Sequence, residues 1–117
     1  MTTYSVIYYR AADGECDVKD FLNGLQSKAR AKCFAYIKRL RDGPPLPTSH
    51  AKHLDGRIWE LRPEWGGTEY RILYARLSGR RTFVLLVAFT KKRWEVRPED
   101  IDKAKRRLTD YESRNLA

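Results

Sequence analysis

The chain has 117 residues, enough for one domain around one core and too few for two. Its 42% apolar and 12% aromatic content excludes a disordered chain. Lysine and arginine number 24 against 15 acids, a net charge of +9, which calls for a polyanionic partner. Nucleic acid comes first, with an acidic protein or a membrane surface as other takers of that charge.

The opening MTTYSVIYYRAADGE lacks the apolar stretch of a secretory signal, and the longest apolar run, seven residues, is far short of a span of roughly 20. A cytosolic protein is expected. Residues 4–10, YSVIYYR, are rich in strand formers and predict a first strand. Asp17 is placed to cap a short helix, because Val18, Phe21, Leu22 and Leu25 fall at i, i+3, i+4 and i+7. Ser27 caps a second helix, on which Cys33, Phe34, Ile37 and Leu40 make the apolar side and Lys28, Lys32, Lys38 and Arg39 the charged one. Gly43-Pro44-Pro45 stops it.

Residues 43–55 read as a loop holding three prolines and both histidines. RIWELRP (57–63) predicts a strand ending at Pro63, EWGG a turn, and TEYRILYAR (68–76) the returning strand. After LSGR comes RTFVLLVAFT (81–90), in which seven apolar residues from Phe83 to Phe89 cover both parities. Such a strand belongs in the middle of a sheet. Pro98 opens the last helix, with acids in its first turn and cations later, as the helix dipole prefers. The order β-α-α-β-β-β-α predicts an α+β fold filling residues 1–117, with a small, mainly antiparallel sheet. The first strand pairs beside 83–89, the two early helices pack on one face, and the other face is left partly open.

Arg71 stands out, because a charge among strand formers is costly unless it faces water or a partner. A hairpin with Arg62 opposite Glu69 puts Glu60 opposite Arg71 and brings Glu60, Arg62 and Arg71 to one face. Lys91 and Lys92 follow the central strand and point to opposite faces, so one of them reaches that site. Arg93, Trp94 and Arg97 come next. From Lys91 to Arg107 there are eight cations and four acids, and a tryptophan among cations suits splayed bases held by their phosphates. A cross-strand salt bridge on a wet face, and a Trp94 tucked under the last helix, fit the same residues.

No carboxylate cluster for Mg²⁺, no GxxxxGK[ST] loop and no nucleophile elbow occurs. Cys16 and Cys33 form no ligand pattern, and His50, His53 and Asp55 are too scattered to predict a metal, so no cofactor is expected. The remaining arginines, lysines and Glu60 are still able to cleave RNA. Arginines hold phosphate oxygens bidentately, a lysine crowded by cations is driven toward the neutral base, and Glu60 serves as the base or holds Arg71 in place.

The segments LDGRIWELRP (54–63), YRILYAR (70–76), FVLLVAFTKK (83–92) and RPEDIDKAKRR (97–107) resemble the phage-derived HigB-type toxins of the RelE/ParE toxin superfamily. That resemblance implies a RelE-like fold and a ribosome-dependent endoribonuclease, an mRNA interferase that cuts in the decoding site and stops translation without a metal. It implies a helix-turn-helix antitoxin as partner, operator DNA met only through that antitoxin, and no membrane. By motif it gives Arg71, Lys91, Lys92, Arg62 and Glu60 as catalytic, and Arg57, Arg93, Trp94 and Arg97 as RNA contacts. Arg93 and Trp94 depart from the small polar residues that the family pattern carries after its two lysines. Tyr70, Tyr74 and Tyr111 are candidates for the aromatic or histidine that nucleases of the superfamily keep near the sheet's end. A toxin of the same fold that inhibits gyrase by protein contact, and a basic nucleic-acid-binding module, are the alternatives. A change of Arg71 to alanine is expected to spare the fold.

Overall fold

A computed structural model describes residues 3–91 and 98–115. The chain runs β1 (Ser5–Tyr8), α1 (Asp17–Asn23), α2 (Ser27–Asp42), β2 (Ala51–Asp55), β3 (Ile58–Leu61), β4 (Glu64–Trp65), β5 (Thr68–Arg76), β6 (Thr82–Thr90) and α3 (Pro98–Arg114). The α+β class and the predicted elements are present, with two strands more than expected.

β2 lies in what reads as loop. Its sequence AKHLD holds no β-branched residue, and antiparallel pairing with β3 holds it in place. β4 lies past Pro63, which has no N–H to give and splits the predicted 57–63 strand in two. Gly66 and Gly67, at φ 59° and 79°, then turn the chain in two residues, the arrangement of a tight hairpin.

The sheet order is β1-β6-β5-β3-β2, with β4 on β5. β6 sits between β5, antiparallel, and β1, parallel, so the long apolar strand is central as its pattern requires. One face carries Tyr70, Ile72, Tyr74, Phe83 and Leu85 against Val18 and Leu22 of α1 and Cys33, Ile37 and Leu40 of α2. The opposite face carries Ile58, Leu73, Ala75, Val84, Leu86 and Val87 against Ala104 and Leu108 of α3. α3 therefore covers the face expected to be open. The α2 helix buries Ala29, Cys33, Ile37 and Leu40, while Phe34 is exposed rather than part of the apolar side.

The caps differ from expectation as well. Asp17 and Ser27 are the first residues of their helices and make no cap. Asp17 instead bonds to Arg107 of α3.

The pairing of β5 and β6 is interrupted once. Leu73 faces Val87 but Tyr74 faces Leu85, leaving Leu86 as an extra residue, a bulge. Both Leu86 and Val87 consequently face α3. Beyond them Phe89 pairs with Arg71, and the Lys91 N–H donates to the Glu69 carbonyl at 2.8 Å.

Candidate functional site

The strand register decides which charges meet. Glu60 faces Leu73 and Leu61 faces Ile72, so Arg62, not Glu60, falls opposite Arg71. The register is two residues from the expected one. Two is the side-chain period of a strand, so Glu60, Arg62 and Arg71 still share a face. It is the face toward α3, since Ile58 and Leu73 have the same parity and pack there.

Arg71 is fully buried, with 1% of its side chain exposed. Nη1 donates to the Tyr70 carbonyl at 2.8 Å and Nη2 to Glu69 Oε1 at 2.6 Å. Its Nε lies 3.5 Å from Glu60 Oε2, and Arg62 Nε lies 3.5 Å from Glu60 Oε1. Glu60, itself buried, thus stands between two arginines that would otherwise repel across the strands. Among the described residues, neither Glu60 Oε2 nor Arg71 Nε has a hydrogen-bond partner. Buried polar atoms of that kind are rare in folded proteins.

Glu69 is the contact with solvent, 46% exposed at its side chain. Its carboxyl is held below the usual glutamate range, first by the Arg71 hydrogen bond and then by the nearby charges of Arg71, Lys91 and Arg62. Three cations, Arg62, Arg71 and Lys91, therefore gather with two carboxylates, Glu60 and Glu69, at the Thr90 end of the sheet. Lys91 shares the parity of Arg71, because Phe89 pairs with Arg71 and Lys91 N–H with Glu69.

The other sequence-chosen residues fall elsewhere. Arg57 lies at the opposite end of the strands, where it donates twice to Glu112 of α3 at 2.8 Å and once to the Arg76 carbonyl at 3.0 Å. That fork fastens the β2–β3 turn to α3 and is not brought to Arg71. Tyr70 and Tyr74 point to the α1/α2 face, away from Arg71, and burial pushes the Tyr74 hydroxyl up to about 12. Tyr111 packs on the α3 side against the core there. Lys92, Arg93, Trp94 and Arg97 lie outside the described residues. His50 stacks on Tyr36 at 4.6 Å, His53 bonds to the Gly56 carbonyl and Asp55 pairs with Lys105, so these three do not converge.

Two residues near the site were missed. Glu69 looks in sequence like an ordinary solvated strand residue; only its pairing with the buried Arg71 marks it. Trp65 faces Thr68 in the hairpin that leads to Arg71 and is exposed. Its neighbours Gly66 and Gly67 were a usable signal, since an aromatic beside two turn glycines is hard to place in a core.

Residues 20–109 match the family described as phage derived protein Gp49-like (DUF891). The chain belongs to this family. It lies in the RelE-like group of toxin–antitoxin toxins, and the α+β fold found here is consistent with that group. No curated protein matches the chain. Among the described residues no helix is long and apolar enough to cross a membrane.

Proposed function

We propose that this Gp49-like protein is the toxin of a toxin–antitoxin pair, of the HigB type, and an endoribonuclease that cuts mRNA on the ribosome in the cytoplasm. The observation that carries this reading is the gathering of Arg62, Arg71 and Lys91 on one face at one sheet end, mounted on strands whose packing fixes their direction. The RNA 2′-hydroxyl oxygen attacks the adjacent phosphorus and the bond to the 5′-oxygen breaks, leaving a 2′,3′-cyclic phosphate and a 5′-hydroxyl. Arg71 and Arg62 take the charge that grows on the phosphate oxygens. Glu60 holds both arginines from below and is too buried to meet substrate. Glu69, displaced from Arg71 by the phosphate, takes the 2′-hydroxyl proton, and Lys91 gives one to the departing 5′-oxygen. Lys92, Arg93, Trp94 and Arg97 complete the RNA contacts, and exposed Trp65 offers a second stacking surface for a base. A helix-turn-helix antitoxin is the partner that silences the enzyme and carries it to operator DNA.

A second reading is favoured by the burial of Arg71, which also suits a purely structural ion pair in a toxin that acts by protein contact, as on gyrase. Mapping mRNA 5′ ends after induced expression separates the two. New ends within translated codons, absent when ribosomes cannot engage the message, support the nuclease. Growth arrest with DNA damage and no new ends rejects it.

A further inference from the structure

At the end of the sheet away from Arg71 lies a second concavity of about 420 Å³. Leu40, Leu46, Trp59 and Phe83 line it, with Arg57 and Arg76 among its walls. It opens on the α1/α2 face, where Leu40 and Phe83 belong to the core. Arg71 is five residues away along β5 and points to the other face, so one site is not an extension of the other. The five residues alone separate them by roughly 17 Å.

The chemistry of the groove differs from that of the Arg71 site. Its walls are mainly carbon, with Trp59 40% exposed. Cations flank it: Arg76 and Arg81 both lie over the Tyr4 ring, at 5.3 and 5.8 Å, and Tyr4 stacks on Phe83 of the groove wall. Arg80 follows in the same turn, with its carbonyl accepting from Arg76 Nε. Glu112 answers Arg57 there, and Arg76, Arg80 and Arg81 leave a positive excess beside an apolar trough.

We infer that this groove is a docking site for an acidic polypeptide segment of another protein, which inserts a bulky apolar side chain beside Trp59 and sets carboxylates against Arg76 and Arg81. An aromatic or leucine side chain buries there against carbon, the part of an interface that supplies most of its affinity. RNA fits less well, because its phosphates would have to leave water for an apolar wall. A second copy of this chain, at net charge +9, would bring like charge to the cationic rim. The assignment stands apart from the RNA chemistry proposed above and survives if that chemistry is wrong.

The test is selection of a random twelve-residue peptide library on the full chain, followed by fluorescence anisotropy with the best peptide labelled. Enriched peptides are expected to join leucine, phenylalanine or tryptophan to neighbouring aspartates or glutamates. Their affinity is expected to fall at least tenfold with Arg76→Glu and with Leu46→Asp, and to stay within twofold with Lys28→Glu. Arg76→Glu alters an exposed side chain and decides the matter should Leu46→Asp fail to fold. Peptides without acids, binding indifferent to Arg76→Glu, displacement by a single-stranded RNA oligonucleotide, or self-association lost in Leu46→Asp would each overturn the proposal.

Discussion

Glu69 Oε1 sits 2.6 Å from Arg71 Nη2, on the one edge of that guanidinium not turned toward Glu60 or the Tyr70 carbonyl. A phosphate oxygen bound to Arg71 has to take the same position. The carboxylate and the substrate therefore compete, and the competition has a measurable size.

Glu69→Gln removes the competing charge. The pair is half exposed, so its worth is about 0.2–1 kcal/mol, and affinity for a 2′-deoxy oligonucleotide, which cannot be cut, is expected to rise up to about fivefold. Cleavage of the matching RNA is expected to fall by about 10²–10⁴, the usual contribution of a proton-transfer group. Anisotropy and ribosome-dependent cleavage assays read the two effects separately. Tighter binding with unchanged cutting would remove Glu69 from the proton-transfer role.

Arg71→Ala will not be the clean active-site change that the sequence alone indicates. It strands the buried Glu60 carboxylate, and breaking a buried pair in that way costs about 3–5 kcal/mol. The double change Arg71→Met with Glu60→Leu is expected to recover most of the stability, seen as the urea midpoint, while RNA cleavage stays absent. Recovery of cleavage in the double variant would end the case for Arg71 in phosphate binding.

Lys91→Ala alters a side chain at the end of a strand, half-buried rather than in the core. Its unfolding midpoint is expected to move by no more than about 0.5 kcal/mol, while new mRNA ends disappear. Wild-type levels of cutting in Lys91→Ala and in the double variant with Lys92→Ala would exclude both lysines from the chemistry.

The carboxylates of Glu69, Asp110 and Glu112 all titrate below their ordinary values because arginines donate to them. A depressed folded pKa stabilises fully above the unfolded value and ceases to do so as pH falls through the folded one. The melting temperature is expected to be level at pH 5 and above, where these groups are ionised in both states, and to drop below the ordinary glutamate value of 4.5. Glu112→Gln lowers the neutral-pH plateau and flattens that drop. Circular dichroism melts at a series of pH values check both.

Much of this was legible in the sequence because it rests on periodicity. The seven-residue apolar run could only be a strand covered on both sides, and Val18, Leu22, Cys33 and Ile37 could only face a core. The hairpin register was set two residues off, since EWGG was read as a turn when Glu64 and Trp65 are strand and only the glycines turn. The charged face survived the error because the shift was even. β2 was invisible: nothing in AKHLD prefers a strand, and only β3 beside it makes one. Glu69 was passed over for a related reason, as its significance lies in a neighbour's burial rather than in its own residue type.

The surplus residue in β6 makes that strand sensitive to count in a way it is not sensitive to chemistry. Leucine, isoleucine or methionine in place of Leu86 would leave the lysine at its end where it is. Removing Leu86 would rotate everything beyond it by half a turn, sending Phe89 and Lys91 toward α1 and α2 and leaving the cluster with two cations and two carboxylates. In this protein an insertion or deletion of one residue in β6 is a change to the distant site, whereas a conservative substitution at the same place is a change only to packing.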